Sequence, residues 1–227
     1  VVYLDSKKVM ESIVKNIDCM VGMSEYPDKY FDLVIVDPPY GIGEDGSRNK
    51  SRGKLAKAKN YKAFAGNDIE APPIEYFNEL IRISKNQIIW GANHFISRIP
   101  LDSSCWIVWD KNNGENDFAD CELAWTSFKS AVRKFKFTWN GMLQEDMRNK
   151  ESRIHPTQKP IALYDWIYSK YLSNGGKVLD THLGSGSNRI AADKAGNIDF
   201  VGFELDKDYF EAQEKRWAEY KKQLTLW

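Results

Sequence analysis

In the stretch Leu33-Val34-Ile35-Val36-Asp37-Pro38-Pro39-Tyr40, a carboxylate and a flat aromatic ring lie close together, directly after an apolar run. Leu33 to Val36, mostly β-branched and without a charge, predict a short strand buried on both faces, as in the interior of a parallel sheet. Two consecutive prolines lack N–H donors and fix φ, so the ladder has to end there and the backbone leaves the sheet at its carboxyl edge. Open α/β sheets bind ligands at that edge. A planar group with an exocyclic NH₂ suits the turn: its amine would donate to Asp37 and the Pro38 carbonyl while its ring stacks on Tyr40. A plain proline-bounded turn after a core strand is the alternative.

A second stretch, Val178-Leu179-Asp180-Thr181-His182-Leu183-Gly184-Ser185-Gly186-Ser187, reads as a buried strand, a glycine turn and the start of a helix. Gly184 and Gly186 let the backbone approach a ligand, and the helix start offers free N–H groups. No Gly-Lys-Ser/Thr follows, and position 189 is Arg where a dinucleotide fingerprint has Gly, so a phosphate cradle is not expected. Asp180 would repel phosphate and would suit a cationic amino group. One strand later, Val201-Gly202-Phe203-Glu204 ends on an acid placed to accept from ribose hydroxyls. A nucleoside with an ammonium-bearing tail fits both, and S-adenosylmethionine has that chemistry. An ordinary strand-to-helix turn is the alternative for Gly184 and Gly186 taken alone.

The elements needed to place these turns are legible in outline. Strands are expected near Ile13–Ile17 (ending at Asp18), and over Phe31–Val36, Gln87–Trp90, Cys105–Asp110, Cys121–Ser127, Arg133–Trp139, Lys177–Asp180 and Phe200–Glu204. Helices are expected over Ile74–Ser84, Ile161–Leu172, Ser187–Ala195 and Lys207–Lys222; a cap on the second by Thr157 or Gln158 is the plain alternative to ligand contact for His155–Pro160. Alternation of strand, glycine turn and helix is the grammar of a parallel α/β sheet. Residues 41–62 read as a long basic loop.

The chain has 227 residues, enough for one large domain, and its 32 basic residues balance its 32 acidic ones. No global field marks a nucleic-acid binder, so any such role rests on local clustering. Cys19, Cys105 and Cys121 are widely spaced and odd in number, which argues for a reducing compartment and against a disulfide scaffold. No apolar run reaches membrane-spanning length, and a cytoplasmic protein without membrane association is expected.

Taken in order, Asp37-Pro38-Pro39-Tyr40, His155-Pro156-Thr157-Gln158-Lys159-Pro160, the glycine turn at Asp180–Ser187 and Gly202-Phe203-Glu204-Leu205-Asp206 resemble a permuted, β-class amino-methylating DNA methyltransferase. The phage- or prophage-type adenine-N6 enzymes are the most similar, and the likeness runs from Asp18 to the last helix. It implies a Rossmann-like α/β fold, a mostly parallel twisted sheet with helices on both faces and the catalytic motif ahead of the cofactor motif, in a single catalytic domain over 1–227. Asp37, Pro38, Pro39 and Tyr40 would hold the target amine. S-adenosylmethionine would be bound by Asp180, Gly184, Ser185, Gly186, Glu204 and Leu205, with His155, Thr157 and Lys159, the last a partner for its carboxylate. Asp37 would border the same cofactor, and Asp18 would lie near its adenine. Where the family has Asp-Pro-Phe, this chain has Asp180-Thr181-His182, so a ring contact to the cofactor is made by an imidazole or lost; a buried, hydrogen-bonded side chain is the plainer role for His182.

The implied partner is DNA with its target base rotated out, and no metal is implied. Arg48, Lys50, Arg52, Lys54, Lys57 and Lys59 (with Lys62) would contact the backbone. Target recognition is expected within 110–153, where Trp125, Arg133, Lys134, Lys136 and Trp139 mix cations with aromatics; edge strands packed on the core show the same pattern. So short a segment implies a short or loose target sequence, or help from a second copy in a homodimer. Cytosine-N4 in DNA, adenine in RNA and a non-catalytic nucleotide- or DNA-binding module are the rival readings.

Overall fold

The computed structural model describes residues 10–43, 68, 70–113, 119–140 and 143–224. The basic residues Arg48, Lys50, Arg52, Lys54, Lys57, Lys59 and Lys62 lie outside the described residues. Among the described residues ten strands and five α-helices follow one another as β1 (Ser12–Asn16), α1 (Cys19–Ser24), β2 (Phe31–Val36), α2 (Ile74–Ile83), β3 (Ser84–Trp90), β4 (Trp106–Asp110), β5 (Cys121–Thr126), β6 (Arg133–Lys136), β7 (Trp139–Asn140), β8 (Leu143–Gln144), α3 (Ile161–Tyr171), β9 (Gly176–Asp180), α4 (Ser187–Ala195), β10 (Ile198–Glu204) and α5 (Lys207–Leu224).

Eight strands form one sheet in the order β1-β10-β9-β2-β3-β5-β4-β6, and β7 with β8 make a separate hairpin. Only β5 runs against its neighbours; all other pairings in the large sheet are parallel. This is a mostly parallel α/β sheet. Leu33, Ile35, Val178 and Phe200 face a core with Leu163, Tyr164, Ile167 and Tyr168 of α3 and Ala191 and Ala192 of α4. Val34, Val36, Leu179 and Val201 face the opposite core, with Met23 of α1 and Tyr76, Phe77, Leu80 and Ile83 of α2. Helices therefore cover both faces, which explains the near-continuous apolar reading of β2, β9 and β10.

From β2 the chain passes through α2 to β3 on one side, and from β9 through α4 to β10 on the other. Because β2 and β9 are neighbours, with Val34 beside Leu179, the connections diverge between them and open a crevice at their carboxyl ends. Asp37 and Asp180 border it.

Local differences from the sequence reading have physical causes. β1 stops at Asn16, and Asp18, instead of ending a strand, caps α1 by accepting from Met20 N (2.9 Å) and Val21 N (3.2 Å). Six residues are too few to show a helical period, so α1 was not legible. Thr157 and Gln158 do not cap α3: the Ile161 N–H donates to Glu151 Oε1 (3.0 Å), and the Gln158 side chain binds Ile154 N and Ser152 O. The stretch over 133–139 divides into β6 and the first strand of the hairpin. Trp125 and Trp139 are buried in the two cores, leaving Arg133, Lys134 and Lys136 as the exposed cations of edge strand β6.

Candidate active site

At the end of β2 the prolines release the chain and Asp37 emerges half-buried. Its Oδ1 accepts a hydrogen bond from the Tyr40 hydroxyl (2.7 Å) and its Oδ2 one from Lys159 Nζ (2.5 Å), whose side chain comes from the segment before α3. Lys159 is only 4% exposed. Burial alone would lower its pKa, but Asp37 and Glu122 overrule burial and raise it, so the ammonium is retained. Glu122, at the start of β5, stands 3.0 Å from Lys159 and pairs through its other oxygen with Lys111. Burial would raise this carboxyl, yet the two ammonium groups bring it down to about 2.

The Tyr40 ring lies against Gly91, a residue with φ +68° just after β3 whose added Cβ would come within 2.0 Å of Tyr40 Cε1. The same ring stacks on the exposed His94 imidazole, with centroids 5.1 Å apart and 15° between planes. Burial, then Asp37 and Glu122, push the Tyr40 pKa well above its ordinary value, so its hydroxyl keeps the proton it donates. Asp37, expected to receive an amine, and the Tyr40 ring, expected to stack on its ring, are thus engaged by the chain's own Lys159 and His94.

Across the crevice, Asp180 is 3% exposed. It accepts from His182 N (3.0 Å) and Asn188 Nδ2 (2.9 Å). Burial raises its pKa to about 7 against those hydrogen bonds, and the charges of Asp37 and Glu204 add to the rise. Glu204, ending the adjacent β10, is likewise raised by burial. Its Oε2 accepts from Gly184 N (2.7 Å) and its Oε1 from Asp206 N (2.9 Å), which ties the glycine turn to the next strand and leaves each oxygen a further lone pair. Among the described residues neither carboxylate has a cationic partner, in contrast to Asp37.

Gly184 (φ +52°) and Gly186 (φ +72°) are required by backbone conformation, Gly186 as the residue preceding α4. Beside them, the buried Ser185 Oγ lies 3.1 Å from Ser187 Oγ. His155 packs beside Gly184 and against Tyr209 with centroids 4.3 Å apart; its Nδ1 accepts from Thr157 N, and burial followed by Lys159 lowers its pKa to about 4. Leu205 is exposed just beyond Glu204.

His182, lowered to about 4 by burial, is neutral; its Nδ1 lies 2.9 Å from Thr181 Oγ1, which is 2.6 Å from the Tyr76 hydroxyl of α2. Asp18 is near enough to act electrostatically on that imidazole. The structure therefore gathers Asp18, His155, Thr157, Asp180, His182, Gly184, Ser185, Gly186, Glu204 and Leu205 along one rim. Lys159, expected at a cofactor carboxylate, bonds to Asp37 and to the Tyr40 hydroxyl. Glu122, Lys111, Gly91, His94 and Tyr76 were missed from sequence; none belongs to a spaced motif, and only strand order brings them here.

Among the described residues there is no cluster of three or more His, Cys, Asp or Glu side chains that could hold a metal ion, and no helix is long and apolar enough to cross a membrane.

Comparison with known proteins agrees with this geometry. The family model described as DNA methylase matches residues 55–215, well over half the chain. Type II methyltransferase M2.MboI of Moraxella bovis is 25% identical over 94% of this chain and 92% of its own length. Among solved structures, the M1.HpyAVI–SAM complex superposes with a TM-score of 0.56 at 22% identity, covering 90% of this chain and 98% of that one. The cytosine-N4-specific PvuII DNA methyltransferase does so at 0.56 and 11% identity, covering 90% and 86%. With its parallel sheet, its paired acid-bearing strand ends and this match, the chain belongs to the DNA methylase family.

Proposed function

We propose that this protein transfers a methyl group from S-adenosylmethionine to the exocyclic N6 amine of adenine in DNA. One observation carries the reading: a carboxylate held by its own cation (Asp37) and two buried carboxylates without one among the described residues (Asp180, Glu204) face each other across the crevice between β2 and β9. A buried acid without a counter-ion suits a ligand that brings positive charge. Asp180 fits an amino group, and the free lone pairs of Glu204 fit vicinal ribose hydroxyls, so the residues present suit S-adenosylmethionine. When bound, that group supplies an electrophilic methyl on a sulfonium sulfur.

The chain's own task is to make a poor nucleophile competent. Asp37 and the Pro38 carbonyl accept the two amine hydrogens, which draws the nitrogen toward a tetrahedral form and frees its lone pair. Tyr40, by donating to Asp37 Oδ1, fixes the carboxylate that takes the proton the amine sheds. Alignment of nitrogen with methyl supplies the proximity term.

A base inside a duplex is out of reach, so it rotates out at a cost of roughly a few kcal/mol. Stacking on Tyr40, worth about 1–3 kcal/mol, offsets much of this once His94 gives way. Arg48 to Lys59 supply backbone contacts, and the exposed cations of β6 with the β7–β8 hairpin read the target. Asp37 as the first residue of the turn favours adenine, since the cytosine-N4 enzymes this fold also serves tend toward Ser there.

Labelled methyl transfer to duplex DNA, single-stranded DNA and RNA, followed by mass spectrometry of the nucleosides, tests the reading. N6-methyladenine in DNA is expected. N4-methylcytosine would overturn the choice of base, and label in RNA alone, or in neither, would overturn the substrate. Asp37→Ala should lower transfer roughly 10³-fold while retaining cofactor binding in a calorimeter.

A further inference from the structure

The charges around the catalytic turn, buried at Lys159 and half-buried elsewhere, form an alternating row, Lys111, Glu122, Lys159, Asp37. Its two acids reach the same rim for different reasons. Asp37 ends a strand of the parallel set, whereas Glu122 begins β5, the strand that runs the other way, and sits opposite Trp109 of β4. Lys111 follows β4 directly, so β4 and β5 together bring a second ion pair to the edge where β2 ends.

The contacts of Lys159 within this row are unequal. Its ammonium directs hydrogen bonds to Asp37 Oδ2 (2.5 Å) and the Tyr40 hydroxyl (3.4 Å). Glu122 Oε2, 3.0 Å away and buried, faces the same nitrogen as a second anion. An amine that docks on Asp37 and sheds its proton there removes the negative charge that now holds Lys159. Turning a buried ammonium away from its only anion would be strongly unfavourable; turning it from one anion to another is not.

Resting on the methyl-transfer reading above, we propose that Glu122 is a positioning residue: it takes over the Lys159 ammonium when Asp37 accepts the target amine. Lys111 holds the far oxygen of Glu122, so the acceptor stays ionised and in place during the exchange. Glu122 touches neither substrate and acts only through Lys159.

The test is steady-state kinetics of Glu122→Gln, Glu122→Asp, Lys159→Met and the Glu122→Gln/Lys159→Met double variant, with cofactor affinity measured by calorimetry. Glu122→Gln leaves Lys159 no anion but Asp37, and kcat should fall roughly a hundredfold with the cofactor Kd unchanged. Glu122→Asp should recover most of that loss. Once Lys159 is Met, removing Glu122 should cost nothing further, because residues acting through one contact are not additive.

An unchanged kcat in Glu122→Gln, a change confined to cofactor Kd, or losses that multiply in the double variant would overturn the proposal. Should Glu122→Gln fail to fold, the same cycle with Glu122→Ala decides it: coupling to Lys159→Met supports the exchange and additivity refutes it. A wild-type chain that methylates no nucleic acid would sink the parent reading, which is distinct from an active wild type indifferent to Glu122.

Discussion

Replacing Asp180 by Asn removes a buried negative charge that no cation among the described residues offsets. Burial lifts this carboxyl from its ordinary 3.8 to about 7, with hydrogen bonds from Asn188 and the His182 N–H opposing and Asp37 and Glu204 assisting. At about 1.4 kcal/mol per pH unit, the ionised form is disfavoured in the folded chain by about 4 kcal/mol. Because the folded pKa lies above the unfolded one, the folded chain holds the proton more tightly. That contribution is complete below 3.8, is lost as pH rises toward about 7, and leaves the ligand-free fold carrying the full penalty above it. Asn keeps the shape but sets an NH₂ against Asn188 Nδ2, at a cost of about 1 kcal/mol. Asp180→Asn should therefore be more stable than the wild type by about 3 kcal/mol above about pH 8, and equal or slightly weaker near pH 4. Urea unfolding of the ligand-free protein across that range measures it. A difference between variant and wild type that stays flat with pH would refute the burial argument. Calorimetry supplies the second arm. An ammonium pairs with ionised Asp180 only, so wild-type cofactor affinity should tighten as pH rises to about 7 and then level off, whereas the variant should bind at least about tenfold more weakly with no such pH dependence. Equal affinity in the two proteins would remove Asp180 from the cofactor site.

Two further outcomes are expected. Gly91→Ala places a Cβ 2.0 Å from Tyr40 Cε1 at φ +68°, so Tyr40 must move; thermal unfolding should show a loss of about 1–3 kcal/mol, and transfer should fall while cofactor binding holds. Replacing Arg48, Lys50, Arg52 and Lys54 by Gln should flatten the slope of log affinity for DNA against log salt by up to about 3.6, at about 0.9 per lost phosphate contact; an unchanged slope would remove this segment from the interface.

The limits of β2 and α4 could be read directly from the chain, because each is bounded by local chemistry: prolines after Val36, glycines at both ends of Ser187–Ala195. Asp37, Asp180, Gly184 and Glu204 were equally legible, since a strand end, a turn and a helix start each leave a contiguous trace. α1 and the role of Asp18 were not, for a single helical turn and a half has no period to detect. What no local pattern carries is adjacency. That β2 lies beside β9, so that the two acid-bearing ends share a crevice, follows from the order in which strands pack. That Lys159 is committed to Asp37 and Glu122 follows from β5 running opposite to its neighbours and delivering its first residues to their last. His94 and Gly91 meet Tyr40 only because the turn after β3 folds beneath the turn after β2. The sequence by itself determined which groups were available for chemistry; the tertiary structure decided which of them are neutralised, which are left charged and bare, and which face one another, because burial and pairing are properties of packing and not of spacing.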